Sequence, residues 1–137
     1  MFIYHPISQG HQVVELGLIF RIVPNAANPL RDDRFLTYAR RFDILPQANK
    51  SITGSSTSRG PYPEPASSLY VVKRAKRANG EFVGDILPLH QVRALLELTP
   101  CFGTEANRRL TKYNSSSYCS EFRVNKYFDK ELYLALS

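Results

Sequence analysis

The chain has 137 residues and a mass of 15.6 kDa, the modal size of one domain, which argues against a multidomain enzyme. An apolar share of 43%, with eight Tyr and eight Phe, excludes a wholly disordered chain and suffices for one core. Eighteen Lys and Arg against twelve Asp and Glu give a net charge of +6, which suits an anionic partner such as DNA or RNA and equally suits solubility alone.

No apolar run approaches the ~20 residues that span a bilayer, and residues 1–6 lack the basic and apolar regions of a signal peptide. The expectation is an intracellular protein, nuclear or cytoplasmic, with no membrane and with Cys101 and Cys119 as reduced thiols. Val14, Leu16, Leu18, Phe20 and Ile22 occupy every second position, the period of a strand with one face in a core. Pro24 and Asn25 end it, and residues 35–45, rich in aromatic and β-branched side chains, predict a second strand closed by Pro46. From 47 to 68 the composition turns to Ser, Thr, Gly and Pro, which predicts a long mobile loop inside one domain of residues 1–137.

Asn79-Gly80 separates two strand-like runs, 69–78 and 81–89, the pattern of a β-hairpin on a type I′ turn with positive φ at both central residues. Its first arm carries Lys73, Arg74, Lys76 and Arg77, so that both faces of the ribbon are basic near the turn. Such a ribbon stands in solvent. It lies along phosphates, or it is an edge charged against strand-to-strand aggregation. Residues 90–99 fit an alternating strand and a helical stripe, and the strand is preferred. Arg108, Arg109 and Lys112 make the next stretch basic. Tyr118, Phe122, Phe128 and Leu132 then recur at intervals that suit a C-terminal helix capped by Ser115, Ser116 or Ser117.

No glycine-rich phosphate loop and no nucleophile elbow is present, and the carboxylates are scattered. Two Cys and three His without a short-spaced pair give no zinc signature. No catalytic residue, metal site or cofactor is therefore assigned.

Several stretches carry a resemblance. They are Val14-Glu15-Leu16-Gly17-Leu18-Ile19-Phe20-Arg21, Arg41-Phe42-Asp43-Ile44, Gly84-Asp85-Ile86-Leu87-Pro88-Leu89 and Leu98-Thr99-Pro100-Cys101-Phe102-Gly103. The last runs from Ser120 through Glu121-Phe122-Arg123-Val124-Asn125-Lys126-Tyr127-Phe128 to Leu132. Together they resemble the C-terminal region of large fungal transposase-like proteins of the Plavaka and Kyakuja–Dileera–Zisupton kind. Arg123 stands where that pattern has Trp, and Cys101 where it has Arg. The resemblance implies an accessory region without the strand-transfer carboxylates, which belong to an upstream ribonuclease-H-like domain in such proteins.

The fold expected is α+β and mainly β: a small antiparallel sheet or partly open barrel with a basic Asn-Gly hairpin, packed by a C-terminal helix. The function expected is a non-catalytic accessory module that binds DNA or RNA through Lys73, Arg74, Lys76 and Arg77, with Arg108, Arg109 and Lys112 as further candidates. The alternatives are an interaction domain that binds itself or another protein, and a small metal-dependent nuclease.

Overall fold

The computed structural model describes residues 2–4, 12–23, 34–49, 58–103 and 107–136. The protein is mainly β, as expected. Its strands are Phe2–Tyr4 (β1), Gln12–Arg21 (β2), Phe35–Ile44 (β3), Gln47–Asn49 (β4) and Ser58–Gly60 (β5), then Val71–Arg74 (β6) and Gly84–Pro88 (β7). Val92–Leu95 (β8) and Glu97–Pro100 (β9) follow, with Glu121–Asn125 (β10) nearer the end. Ser115–Tyr118 (α1) and Lys130–Leu136 (α2) are short helices. The chain divides into two compact units, one of Met1–Phe42 with Ala75–Leu95 and the other of Asp43–Arg74 with Leu96–Ser137.

In the first unit an open antiparallel sheet runs β8-β1-β2-β3, and β7 pairs with β3. The alternating run predicts β2 correctly as a strand, but its single inward face does not hold. Leu16 pairs with Ala39 while Leu18 pairs with Tyr38, which leaves Gly17 as an extra residue. A bulge of this kind moves every later side chain to the opposite face. Val13 and Val14 are buried, whereas Leu18 is 61% exposed. Tyr38 explains two glycines: its Cδ1 would lie 3.2 Å from a Cβ at Gly17, and its ring would overlap a Cβ at Gly84. The ring thus covers backbone where the neighbouring strands have no side chains. Thr37 is fully buried, and its hydroxyl donates to the Leu18 carbonyl at 2.9 Å, beside the bulge that interrupts the ladder.

In the second unit the sheet runs β6-β10-β9, all antiparallel. Phe122 and Val124 of β10 turn inward, Phe122 opposite the buried Val72, and Leu96 and Leu132 are buried in this unit too. Glu121, Arg123 and Asn125 alternate with Phe122 and Val124 along β10, and the buried Val71 pairs with Arg123. The long helix expected from Tyr118 to Leu136 is therefore a single turn, a strand and a two-turn helix. The reason is a shared divisor: inward residues two apart, at 122 and 124, satisfy a strand, and the four-residue step from Tyr118 to Phe122 mimics a helix. Tyr118 and Phe128, both assigned to the helical stripe, are exposed.

The segment read as a loop over 47–68 contains paired strands, since β4 and β5 form a two-stranded antiparallel ribbon. Residues 50–57 of that expected loop lie outside the described residues. Of residues 90–99, the first two belong to a 3-10 turn at Leu89–Gln91, and from Val92 on the strand preferred for this stretch is found, as β8 and β9.

Candidate nucleic-acid interface

The two runs flanking Asn79-Gly80 do form a hairpin, though a shorter one than their lengths suggest. Val83 N–H donates to the Ala75 carbonyl at 2.9 Å, Lys76 pairs with Phe82, and Arg77 N–H donates to the Glu81 carbonyl at 2.8 Å. Beyond residues 75 and 83 the arms pair with other strands, β6 with β10 and β7 with β3. The root is fixed to β3 by Arg41, whose N–H donates to the Val83 carbonyl and whose carbonyl accepts from Ala75 N–H, both at 2.9 Å.

The turn also departs from type I′. Gly80 has φ +86°, but Asn79 does not have positive φ. Gly80 N–H donates to the Arg77 carbonyl at 2.9 Å, and Asn79 Oδ1 accepts from Glu81 N–H at 3.1 Å. This is a three-residue loop that ends on a left-handed glycine, the other common hairpin closure.

The expected four-cation cluster is split between the units. Lys73 and Arg74 belong to the second unit, Lys76 and Arg77 to the first. Arg74 is engaged within its own unit: a guanidinium N–H donates to the Cys119 carbonyl at 3.2 Å, and its Cζ lies 4.9 Å from the Phe122 ring centroid. Its half-buried guanidinium thus packs within that unit. Lys73 is exposed opposite Glu121.

Residues 76–82 are exposed throughout, and Arg77 makes no side-chain hydrogen bond or ion pair among the described residues. Phe82, a residue that charge patterning missed, is 41% exposed. Lys76 Nζ stands 5.2 Å and Arg40 Cζ 5.6 Å from its ring centroid, and Arg40 in turn pairs with Glu15 at 3.3 Å. An exposed ring held by two cations, next to a free guanidinium, offers a stacking face and phosphate partners together. Only an aromatic at the cross-strand position of Lys76 could have signalled it in the sequence.

Arg108, Arg109 and Lys112 lie exposed on a turn of residues 107–114 in the second unit. Asn107 and Asn114 organise that turn: Asn107 Oδ1 accepts from Arg109 N–H at 3.0 Å, and Asn114 Nδ2 donates to the Arg109 carbonyl at 3.0 Å. Lys112 Nζ lies 4.8 Å from the Tyr113 ring centroid.

The second unit also holds a cleft of about 810 Å³. One wall carries an ion pair that sequence reading did not anticipate. Arg123 donates to Glu64 twice, Nε to Oε2 at 3.0 Å and Nη2 to Oε1 at 3.3 Å. Ser67 adds a hydroxyl hydrogen bond to Glu64 Oε2 at 2.7 Å. The Arg123 guanidinium, and after it the Ser67 hydroxyl, hold the Glu64 carboxyl below its ordinary value of 4.5. Burial pushes the Cys101 thiol, in the same cleft, up from its ordinary value, against the opposing charge of Arg123.

The sign of the Glu64 shift fixes a pH dependence. A carboxyl that is more acidic in the folded state contributes stability above its unfolded pKa, and that contribution disappears as pH falls through the folded value. Unfolding midpoints in urea from pH 6 to pH 2.5 should therefore fall on the acid side, starting near the ordinary glutamate range of about 4.3. Glu64→Gln should flatten that fall; an acid limb identical to that of the unsubstituted protein would show that the pair contributes nothing.

Among the described residues no three His, Cys, Asp or Glu gather as a metal site, and no helix is long and apolar enough to cross a membrane. Residues 7–61 match a family described as a domain of unknown function (DUF6830). That stretch includes β2 through β5. No curated protein and no solved structure matches the chain.

Proposed function

We propose that the chain is a non-catalytic module that binds single-stranded nucleic acid through the hairpin of residues 75–83, as an accessory part of the transposase-like proteins it resembles. The observation that carries this reading is Phe82, an exposed ring flanked by Arg40 and Lys76 with Arg77 at the adjacent turn. Stacking on an aromatic face is indifferent to base identity and needs an unpaired base, so single strands are preferred to duplex. Lys76 and Arg77 hold phosphates, which adds affinity without sequence information.

Fluorescence anisotropy with labelled single strands and duplexes across a salt series tests the reading. Phe82→Ala should lose about 1–3 kcal/mol on single strands and much less on duplex. Lys76→Ser with Arg77→Ser should flatten the log–log salt slope by about 1.4, at ~0.7 per phosphate on a single strand. Absence of binding to either form at low salt would overturn the proposal.

A second reading rests on a different observation. Leu18, Tyr38 and Ile86 are paired across β2, β3 and β7, and all three are exposed. Among the described residues β7 pairs with no strand but β3. An apolar row beside an open edge suits association with a second copy or another protein. A concentration-dependent dimer in sedimentation equilibrium, lost on Ile86→Lys, would favour it.

A further inference from the structure

The cleft of the second unit lies on the face of the sheet where Glu121 and Arg123 alternate with the buried Phe122 and Val124. Its size falls within the ordinary range of ligand pockets, about 300–1,000 Å³. Leu45, Val71, Pro100 and Phe102 supply apolar wall. Among the described residues three charged side chains line it, and of these Arg123 and Glu64 neutralise each other through two parallel hydrogen bonds. Glu121 is left: its carboxylate has no hydrogen bond and no ion pair among the described residues. Lys73 stands opposite it on β6 and forms no ion pair with it. The Cys101 thiol, raised by burial, stays neutral. Among the described residues that line the cleft, the unbalanced charge is thus one carboxylate, in a protein of net charge +6.

We infer that this cleft takes the side chain of a lysine from a bound peptide, its ammonium against Glu121 and its methylene stem against Leu45, Val71, Pro100 and Phe102. An ammonium is a compact charge with three donors, and Gln47 and Ser120 line the same cleft as further acceptors. One unbalanced carboxylate matches one cation on an apolar stem. A polyamine, with a charge every few methylenes, would need several carboxylates. The site involves no residue of the hairpin and does not rest on the nucleic-acid reading.

Amide chemical shifts of the whole chain, titrated with N-acetyl-lysine methylamide at constant ionic strength, test the inference. Saturable shifts are expected at Cys101, Ser120 and Glu121, and none with N-acetyl-norleucine methylamide, which has the stem without the charge. Glu121→Gln should weaken binding at least tenfold with an otherwise unchanged spectrum, and Phe102→Ala should weaken it several-fold. The protein carrying Lys76→Ser and Arg77→Ser should bind the lysine probe as before, which separates this site from the hairpin. No saturation, equal shifts with the norleucine probe, or undiminished binding in Glu121→Gln would overturn the proposal. So would spermidine binding tenfold more tightly than the lysine probe, since that is the behaviour of a polyamine site.

Discussion

Phe122→Ala should destabilise the second unit by about 3–5 kcal/mol, the range for truncating a fully buried Phe. The ring is 2% exposed in the middle of β10. It sits opposite Val72 of β6 on one side and Pro100 of β9 on the other. Its loss opens a void between three strands that are tied together by backbone ladders and have little freedom to collapse. The substitution also removes the face over which the Arg74 guanidinium lies at 4.9 Å, so part of the cost is electrostatic. Phe128→Ala is the control: that ring is 50% exposed and precedes α2, so its loss should stay within about 0.5 kcal/mol. Urea unfolding of the two variants side by side checks both values. A Phe122→Ala cost below about 1 kcal/mol would mean that the core of this unit is not organised around β10.

The contrast between these two phenylalanines shows what local sequence conveys and what it does not. Residues 12–21 and 35–44 announce themselves as strands by composition and alternation, and both are strands. Which face each side chain takes was not legible, because one glycine, Gly17, inserts a bulge and moves Leu18 to the opposite face from Leu16. Asn79-Gly80 marks a hairpin correctly. Where its arms separate depends on which other strands each arm pairs with, and no local pattern encodes that. Phe122 belongs at once to a four-residue and a two-residue period, and tertiary pairing decides for the strand.

The candidate sites divide in the same way. Charge alone marks Lys76, Arg77 and Arg74 alike, and the contacts of Arg74 with Cys119 and Phe122 have no local signature. The cleft had no local signature, since Glu64 and Arg123 are 59 residues apart and Glu64 lies in a Pro-rich stretch that reads as loop. Cys101 and Arg123, the two departures from the resembling pattern, both line that cleft.

Leu132→Ala should cost about 2–5 kcal/mol, the range for a buried leucine, and should release α2 as well. This helix has seven residues, well short of the ~12–15 at which isolated helices become even marginally stable, so tertiary anchoring has to maintain it. Leu132 is 1% exposed, whereas its neighbours Tyr133 and Leu134 are exposed. The N-terminus has a separate support: Asp129 Oδ1 accepts from Glu131 N–H at 2.8 Å and from Leu132 N–H at 3.2 Å. Removing that cap with Asp129→Ala should cost only about 1 kcal/mol. Hydrogen exchange separates the two contributions. Leu132→Ala should speed exchange across all of α2 and lower the unfolding midpoint of the unit, whereas Asp129→Ala should act chiefly on the first turn. If Leu132→Ala proves no more costly than Asp129→Ala, the helix is held by its cap and not by the buried Leu132 side chain.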